Sequence, residues 1–291
     1  DLILILAKTS NYPVVLEKTA AGIPLSAPYA DIVTIIEGVN KYTGSLTATG
    51  NVPAEQLNII AKGTTGKVTA TLAPGEAIDA ATVTALKDVK TSDAITFAPT
   101  QTTVSGNSEL TALINLKKLL PNADFTAITI IQGTESDVAL IKSAQKLAKD
   151  DAAVTITGQI SAADANALSK ATAVGFGLTA TLKSATVKAT LSALKDIKAT
   201  DVLDFTTTET TVNASELVAL EAKLALGTQD YTSITTITET AAAVAKDDAL
   251  TVTTALGYTL AATVDVKISG NISATNAATI AAAATTGTLT A

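Results

Sequence analysis

From Lys67 to Leu72 the chain reads KVTATL, with Val68, Ala70 and Leu72 on one side and Thr69 and Thr71 on the other. Alternation of period two predicts a strand with one buried and one solvated face. The same rhythm opens LTATG at Leu46, VTITG at Val154 and VKISG at Val266. Each run leads through a glycine turn into a stretch whose apolar positions recur every three or four residues, predicting a short helix over Val52–Lys62 and its counterparts. Leu46–Leu72, Val154–Leu182 and Val266–Ala291 therefore share one order: strand, turn, short helix, strand.

Between these units the period shifts again. Ile78, Val83, Leu86 and Val89 share a helical face within Ala77–Val89, and Ala94–Thr100 (AITFAPT) reads as a strand that Pro99 ends or kinks. Ser108–Leu120 is a helix stopped by Pro121. Thr134, with Asp137 three residues on, caps a helix whose Val138, Ile141, Ala144 and Ala148 face inward. DIVTIIEG (Asp31–Gly38) matches AITIIQG (Ala127–Gly133) and reads, like it, as a strand ending in a turn.

The units belong to a longer repeat of about 110 residues. Leu194–Leu217 tracks Leu86–Leu110 with one residue fewer, aligning Phe97 with Phe205, Val104 with Val212, and Gly50 with Gly158 and Gly270. This divides the chain into degenerate N-terminal rungs (1–45), repeat 1 (46–157), repeat 2 (158–269) and the start of repeat 3 (270–291). Strands separated by helices pair in parallel, and neither element can bury its apolar side alone. The expected fold is α/β: one continuous solenoid of strand-helix rungs, leucine-rich-repeat-like, with a parallel β-sheet on one face and short helices on the other. Immunoglobulin-like sandwiches of ~100 residues would match the long period, but the amphipathic helices speak against them.

Composition narrows the chemistry. Hydrophobic residues make up 47% of the chain and aromatic ones 3%, so the core is aliphatic. His, Cys and Arg are absent, which removes Ser-His-Asp and Cys-His catalysis and the usual zinc sites. A net charge of −7 argues against nucleic acid and against docking on an anionic membrane. No apolar run is long enough for direct membrane insertion. The glycines of GFG (Gly175, Gly177) and TTGK (Thr64–Lys67) lack the rest of a nucleotide-binding motif and read as turns. Glu209 and Asp204 are carboxylates of the kind a glycosidase pairs, but nothing sets them across a cleft. No cofactor is expected. Calcium is the cation that Asp150/Asp151 and Asp247/Asp248, both in AKDDA, would suit, although these pairs read first as polar turns after helices.

Two features point outward. Thr47/Thr49, Thr69/Thr71, Thr155/Thr157 and Thr179/Thr181 would line the solvent face of the sheet, where Thr solubilises a strand and where a glycan or ice could bind. Asn213 and Asn271 each begin a glycosylation triplet. At the ends, LILILA (Leu2, Ile3, Leu4, Ile5, Leu6, Ala7) is an apolar strand needing a partner. Leu289 and Thr290 lie in a motif that continues into a helix elsewhere. The array is expected to continue, in a longer chain or by head-to-tail stacking of one chain on the next.

LSALKDIKATDVLDFTTTETTVNASELVAL (Leu191–Leu220) and TITGQISAADANALSKAT (Thr155–Thr172) carry a resemblance. The chain resembles the giant Thr/Ala-rich repeat proteins of cyanobacteria and marine bacteria, including cell-surface proteins associated with swimming in Synechococcus. The resemblance covers Leu46–Ala291. It implies an exported, surface-associated repeat segment and transfers no catalytic residue. The expected function is that of a non-enzymatic structural protein of the bacterial cell surface, its partner being itself in a filament, sheath or S-layer. The alternative is an adhesin region binding surface glycan or ice through the Thr-lined face.

Overall fold

The computed structural model describes residues 24–37, 42–148, 152–172, 177–284 and 286–291, in which strands and helices alternate along the chain. The chain forms two compact units, residues 1–132 with 139–152 and residues 133–138 with 153–291. In the first, β1 (Leu25–Pro28), β2 (Leu46–Val52), β3 (Val68–Leu72) and β4 (Ala94–Thr96) form a parallel sheet in the order of the sequence. Leu25 lies opposite Leu46, Leu46 opposite Val68 and Thr69 opposite Ala94. Helices α1 (Tyr29–Glu37), α2 (Ala54–Gly63) and α3 (Ala80–Ala85) carry the chain from one strand to the next. β5 (Thr103–Ser105), α4 (Gly106–Leu119) and β6 (Ile130–Gly133) repeat the unit, followed by α5 (Val138–Gln145).

The second unit is built the same way. β7 (Ala153–Ile160), β8 (Leu178–Leu182), β9 (Val202–Thr206) and β11 (Gln229–Asp230) pair in sequence order, with α6 (Ala162–Ala171), α7 (Val187–Ala193) and α8 (Ala214–Lys223) along them. β10 (Thr211–Asn213), β12 (Thr236–Thr240), β13 (Asp265–Ser269) and β14 (Leu289–Thr290) form a further parallel sheet. Its helices are α9 (Ala241–Lys246), α10 (Leu250–Leu256) and α11 (Ala274–Ala283). The fold is thus mixed α/β with parallel sheets, as the alternating periods require.

Burial follows the period-two reading. Val68, Ala70 and Leu72 are buried while Thr69 and Thr71 are exposed, and Leu178–Leu182 repeats the pattern. From the helix side come Leu57, Ile60, Leu168 and Ile280, all with no exposure. Each such side chain contributes roughly 2 kcal/mol by leaving water. The few aromatics span neighbouring rungs: Phe97 meets Phe125 edge-on at 5.9 Å, and Phe205 lies 6.4 Å from Tyr231. Helix starts are set by side chains that accept the first free N–H groups. Asp79 caps α3, Ser161 α6, Thr186 α7, Asn213 α8, Thr240 α9 and Ser273 α11.

Three expectations need correction. The strand expected over Asp31–Gly38 is helix throughout its described part, Asp31–Glu37: Tyr29–Glu37 is helical and buries Ile32, Ile35 and Ile36 at helical spacing, while Gly38 lies outside the described residues. The strand position is taken by Leu25–Pro28, in register with β2. The helix expected over Ala77–Val89 is shorter, Ala80–Ala85. The strand expected over Ala94–Thr100 stops at Thr96, three residues before Pro99. The cap at Thr134 is present, with Asp137 Oδ2 accepting from Thr134 N at 2.9 Å.

Candidate functional site

The Thr face is present but broken. Thr69, Thr71, Thr179 and Thr181 are exposed, as are Thr49 and Thr157, while Thr47 and Thr155 are half-buried. Thr47 lies opposite Thr69, Thr155 opposite Thr179, and Thr71 opposite Thr96, with hydroxyl oxygens 3.0 Å apart in the last pair. Between Thr47 and Asn51, and again between Thr155 and Gln159, the register shifts. Thr49 and Thr157 fall in these bulges, beside Gly50 (φ +88°) and Gly158 (φ +83°), and have no partner on β3 or β8, although Thr49 stays opposite Pro28 on β1. Left-handed backbone at these two positions is what glycine supplies. The T-x-T pairs thus present short rows of hydroxyls rather than a continuous lattice.

A second set of residues joins successive strands and escaped the sequence reading. Asp93, 4% exposed, accepts the Val68 N–H at 2.9 Å on Oδ1 and the Lys90 N–H at 2.9 Å on Oδ2. Asp201, 2% exposed, does the same for Leu178 N at 2.8 Å and Lys198 N at 2.8 Å, and accepts the Ser169 hydroxyl at 2.5 Å. In each case the lysine three residues earlier donates to the C-cap carbonyl of the helix one rung back: Lys90 to Thr64 after α2 and Lys198 to Thr172 after α6. An ammonium there complements the negative end of the helix dipole. Asn58 exchanges hydrogen bonds with Asp88, donating from Nδ2 at 3.0 Å and accepting the Asp88 N–H at 2.7 Å, and Asn166 does so with Asp196.

The opposite helix ends are tied too. Glu76 accepts from Ala54 N, Glu209 from Val187 N and Glu239 from Ser215 N, at the first turns of α2, α7 and α8. Gln101 accepts from Ile78 N in the same manner, without the charge. A carboxylate at a helix start answers both the free N–H groups and the positive end of the dipole. Burial pushes the Glu239 carboxyl up, but donors from Ser215, Thr240 and Asn213 outweigh it and hold the group below the usual carboxylate range. The signal for the Asp93 and Asp201 ties lay in the duplicated strings LKDVKTSD and LKDIKATD.

The carboxylates weighed as chemistry are engaged in the same way. Glu209 is a helix cap and Asp204 accepts the Thr228 N–H at 2.7 Å. An open groove of about 670 Å³ in the first unit contains Tyr29, Glu55, Glu76 and Asp79, but Glu76 and Asp79 already accept backbone N–H groups. Asp247 accepts from Thr251 N, and Asp248 and Ala249 turn through positive φ. Among the described residues no three acidic groups gather as metal ligands. Asp150 and Asp151 lie outside the described residues, as do Leu2, Ile3, Leu4, Ile5 and Leu6 of the expected assembly joint. Its other half is described: Leu289 is half-buried and Thr290 exposed on β14, at one end of its sheet. Among the described residues no helix is long and apolar enough to cross a membrane. No family model, curated protein or solved structure matches the chain.

Proposed function

We propose that this is a structural repeat protein of the bacterial cell surface, without enzymatic activity, which stacks head to tail into a filament, sheath or surface layer. In this reading the rungs form a leucine-rich-repeat-like solenoid, and extracellular placement follows from the resemblance of its Thr/Ala-rich strings. One observation carries the proposal: the side chains of one rung complete the hydrogen bonding of the rung before it. Asp93 serves Val68 and Asp201 serves Leu178, 25 and 23 residues upstream. A module that finishes its neighbour in this way is suited to extension in one direction.

Electron microscopy of the native protein, beside the purified chain at micromolar concentration, tests it. Filaments or sheets are expected; isolated short particles at every concentration would overturn it. The second reading, a Thr-lined adhesin, is favoured by the in-register Thr71–Thr96 hydroxyl pair. It predicts that a monomer binds a glycan array or shapes ice, and that Thr69→Val with Thr71→Val abolishes this while leaving the fold intact.

A further inference from the structure

The groove in the first unit is lined by residues of α1, α2, α3 and the turn before α3, not by the Thr face of the sheet. Two of its acids spend one oxygen each on the backbone. Glu76 Oε1 accepts Ala54 N at 3.0 Å, and Asp79 Oδ1 accepts Thr82 N at 2.8 Å. Among the described residues Glu76 Oε2 and Asp79 Oδ2 have no partner, nor do the Gln56 carboxamide and the Tyr29 hydroxyl. Thr82 belongs to the same wall and is only 5% exposed, yet among the described residues its hydroxyl makes no hydrogen bond. Thr84, two residues on, donates its hydroxyl to the Ala80 carbonyl at 2.7 Å, the usual resort of a helical threonine. The Thr82 hydroxyl is not sealed in, so it opens on the groove. Hydroxyls held this deep are normally paired, and a free one at a cavity wall points to an occupant.

The second unit offers a comparison. Thr190 stands four residues before Leu194 as Thr82 stands before Leu86, and its hydroxyl, also unpartnered, is closed off from solvent. The stretch around it, KSATVKATLSA (Lys183–Ala193), carries two lysines and no acid, with Lys183 paired to Glu135. In APGEAIDAATVTA (Ala73–Ala85) there are two acids and no lysine. Of the two copies, only the first sets carboxylates around an open threonine.

Glu55 adds a third acid to the lining, which holds no lysine. At about 670 Å³ the groove is far larger than an ion needs and falls in the range of organic-ligand sites. The unused groups are mainly acceptors and carry negative charge, so the occupant must bring donors and positive charge. Tyr29, Ala77 and Ala81 add apolar surface against which the C–H face of a sugar ring can lie. We propose that the groove binds a glycan residue with a free amine, an amino sugar of the hexosamine class. Its ammonium pairs with the free oxygens of Glu76 and Asp79, and its hydroxyls with Thr82 and Gln56. An acidic sugar would meet three like charges. The site is separate from the Thr-lined strands and independent of head-to-tail assembly.

Isothermal titration calorimetry of the full chain with a glucosamine trimer, in mildly acidic buffer where the amine is protonated, tests this. Binding is expected, about tenfold or more tighter than to the N-acetylated trimer or to spermidine, an amine without a ring. A galacturonate trimer should give no heat. Silence with the glucosamine trimer would overturn the proposal. Equal affinity for the N-acetylated trimer would refute the part given to the carboxylates, and equal affinity for spermidine the sugar itself. Glu76→Gln keeps an oxygen for Ala54 N, as Gln101 does for Ile78 N. It should weaken binding about tenfold with circular dichroism unchanged. Thr82→Val should weaken it about three- to tenfold. Unaltered affinity in both variants would sink the assignment. Thr69→Val with Thr71→Val should leave the affinity as it was; its loss there would move the sugar to the strands and overturn the groove.

Discussion

Asp201 Oδ1 accepts the backbone N–H of Leu178 at 2.8 Å across 23 residues of chain. The other carboxylate oxygen holds Lys198 N and the Ser169 hydroxyl, so one buried side chain closes its own turn and the start of the strand before it. Asp201→Ala leaves two backbone donors, Leu178 N and Lys198 N, without an acceptor, while the Ser169 hydroxyl keeps the Asp196 carbonyl, and should cost about 3 kcal/mol. Asp201→Asn, which keeps one oxygen, should cost clearly less. Urea midpoints of the two variants check this, and equal midpoints would refute it.

Acid should loosen the same framework. Glu239, 6% exposed, has its folded pKa below the ordinary carboxylate value. Its contribution is therefore present above the unfolded pKa of about 4.3 and is lost as pH falls through the folded value. Hydrogen bonds from Thr126, Thr232 and Thr288 likewise lower Asp124, Asp230 and Asp265. Tm should hold steady from pH 7 toward 5 and fall below 4. Glu239→Gln should flatten that fall, measured by thermal scans across the range.

Alkali acts through a different residue. Burial, then the hydrogen bond to Glu221, pushes the Tyr231 hydroxyl well above its ordinary value. The neutral phenol stabilises the fold in full below the unfolded pKa of about 10, and that contribution declines above it. Burial raises Tyr42 and Tyr258 in the same direction, so Tyr231→Phe should reduce the alkaline decline, at some cost at neutral pH, again read from Tm.

Two glycines should respond to alanine for different reasons. At Gly158 a new Cβ meets nothing within 4 Å, and the cost is that of φ +83° alone, about 1–2 kcal/mol. At Gly227 it would stand 1.9 Å from the Leu203 carbonyl oxygen, so the backbone itself must move. Gly227→Ala should lower Tm clearly more than Gly158→Ala, and the reverse order would contradict the packing described.

How much of this was written in the chain depends on the range of each signal. The strand at Lys67–Leu72 was legible because alternation is local and Val68, Ala70 and Leu72 all face one side. Thr134 and Asp137 were legible for the same reason, three residues apart. Asp31–Gly38 misled because its letters repeat those of Ala127–Gly133, while the strand position beside β2 is taken by Leu25–Pro28 next door. Asp93 and Asp201 looked like turn residues, since an acid in a polar loop gives no hint of an N–H 25 or 23 residues away. Only their recurrence within matching octapeptides marked them out.

The backward reach of Glu76, Asp93, Gln101, Asp201, Glu209 and Glu239 sets a timetable. During synthesis each turn leaves the ribosome with a strand or helix N–H still unsatisfied, and waits some 22 to 25 residues for the side chain that completes it. At residue addition rates of about 5–20 per second, that delay is on the order of one to five seconds per turn. For that interval the newest turn is the part of the nascent protein most open to a protease or to a neighbouring chain.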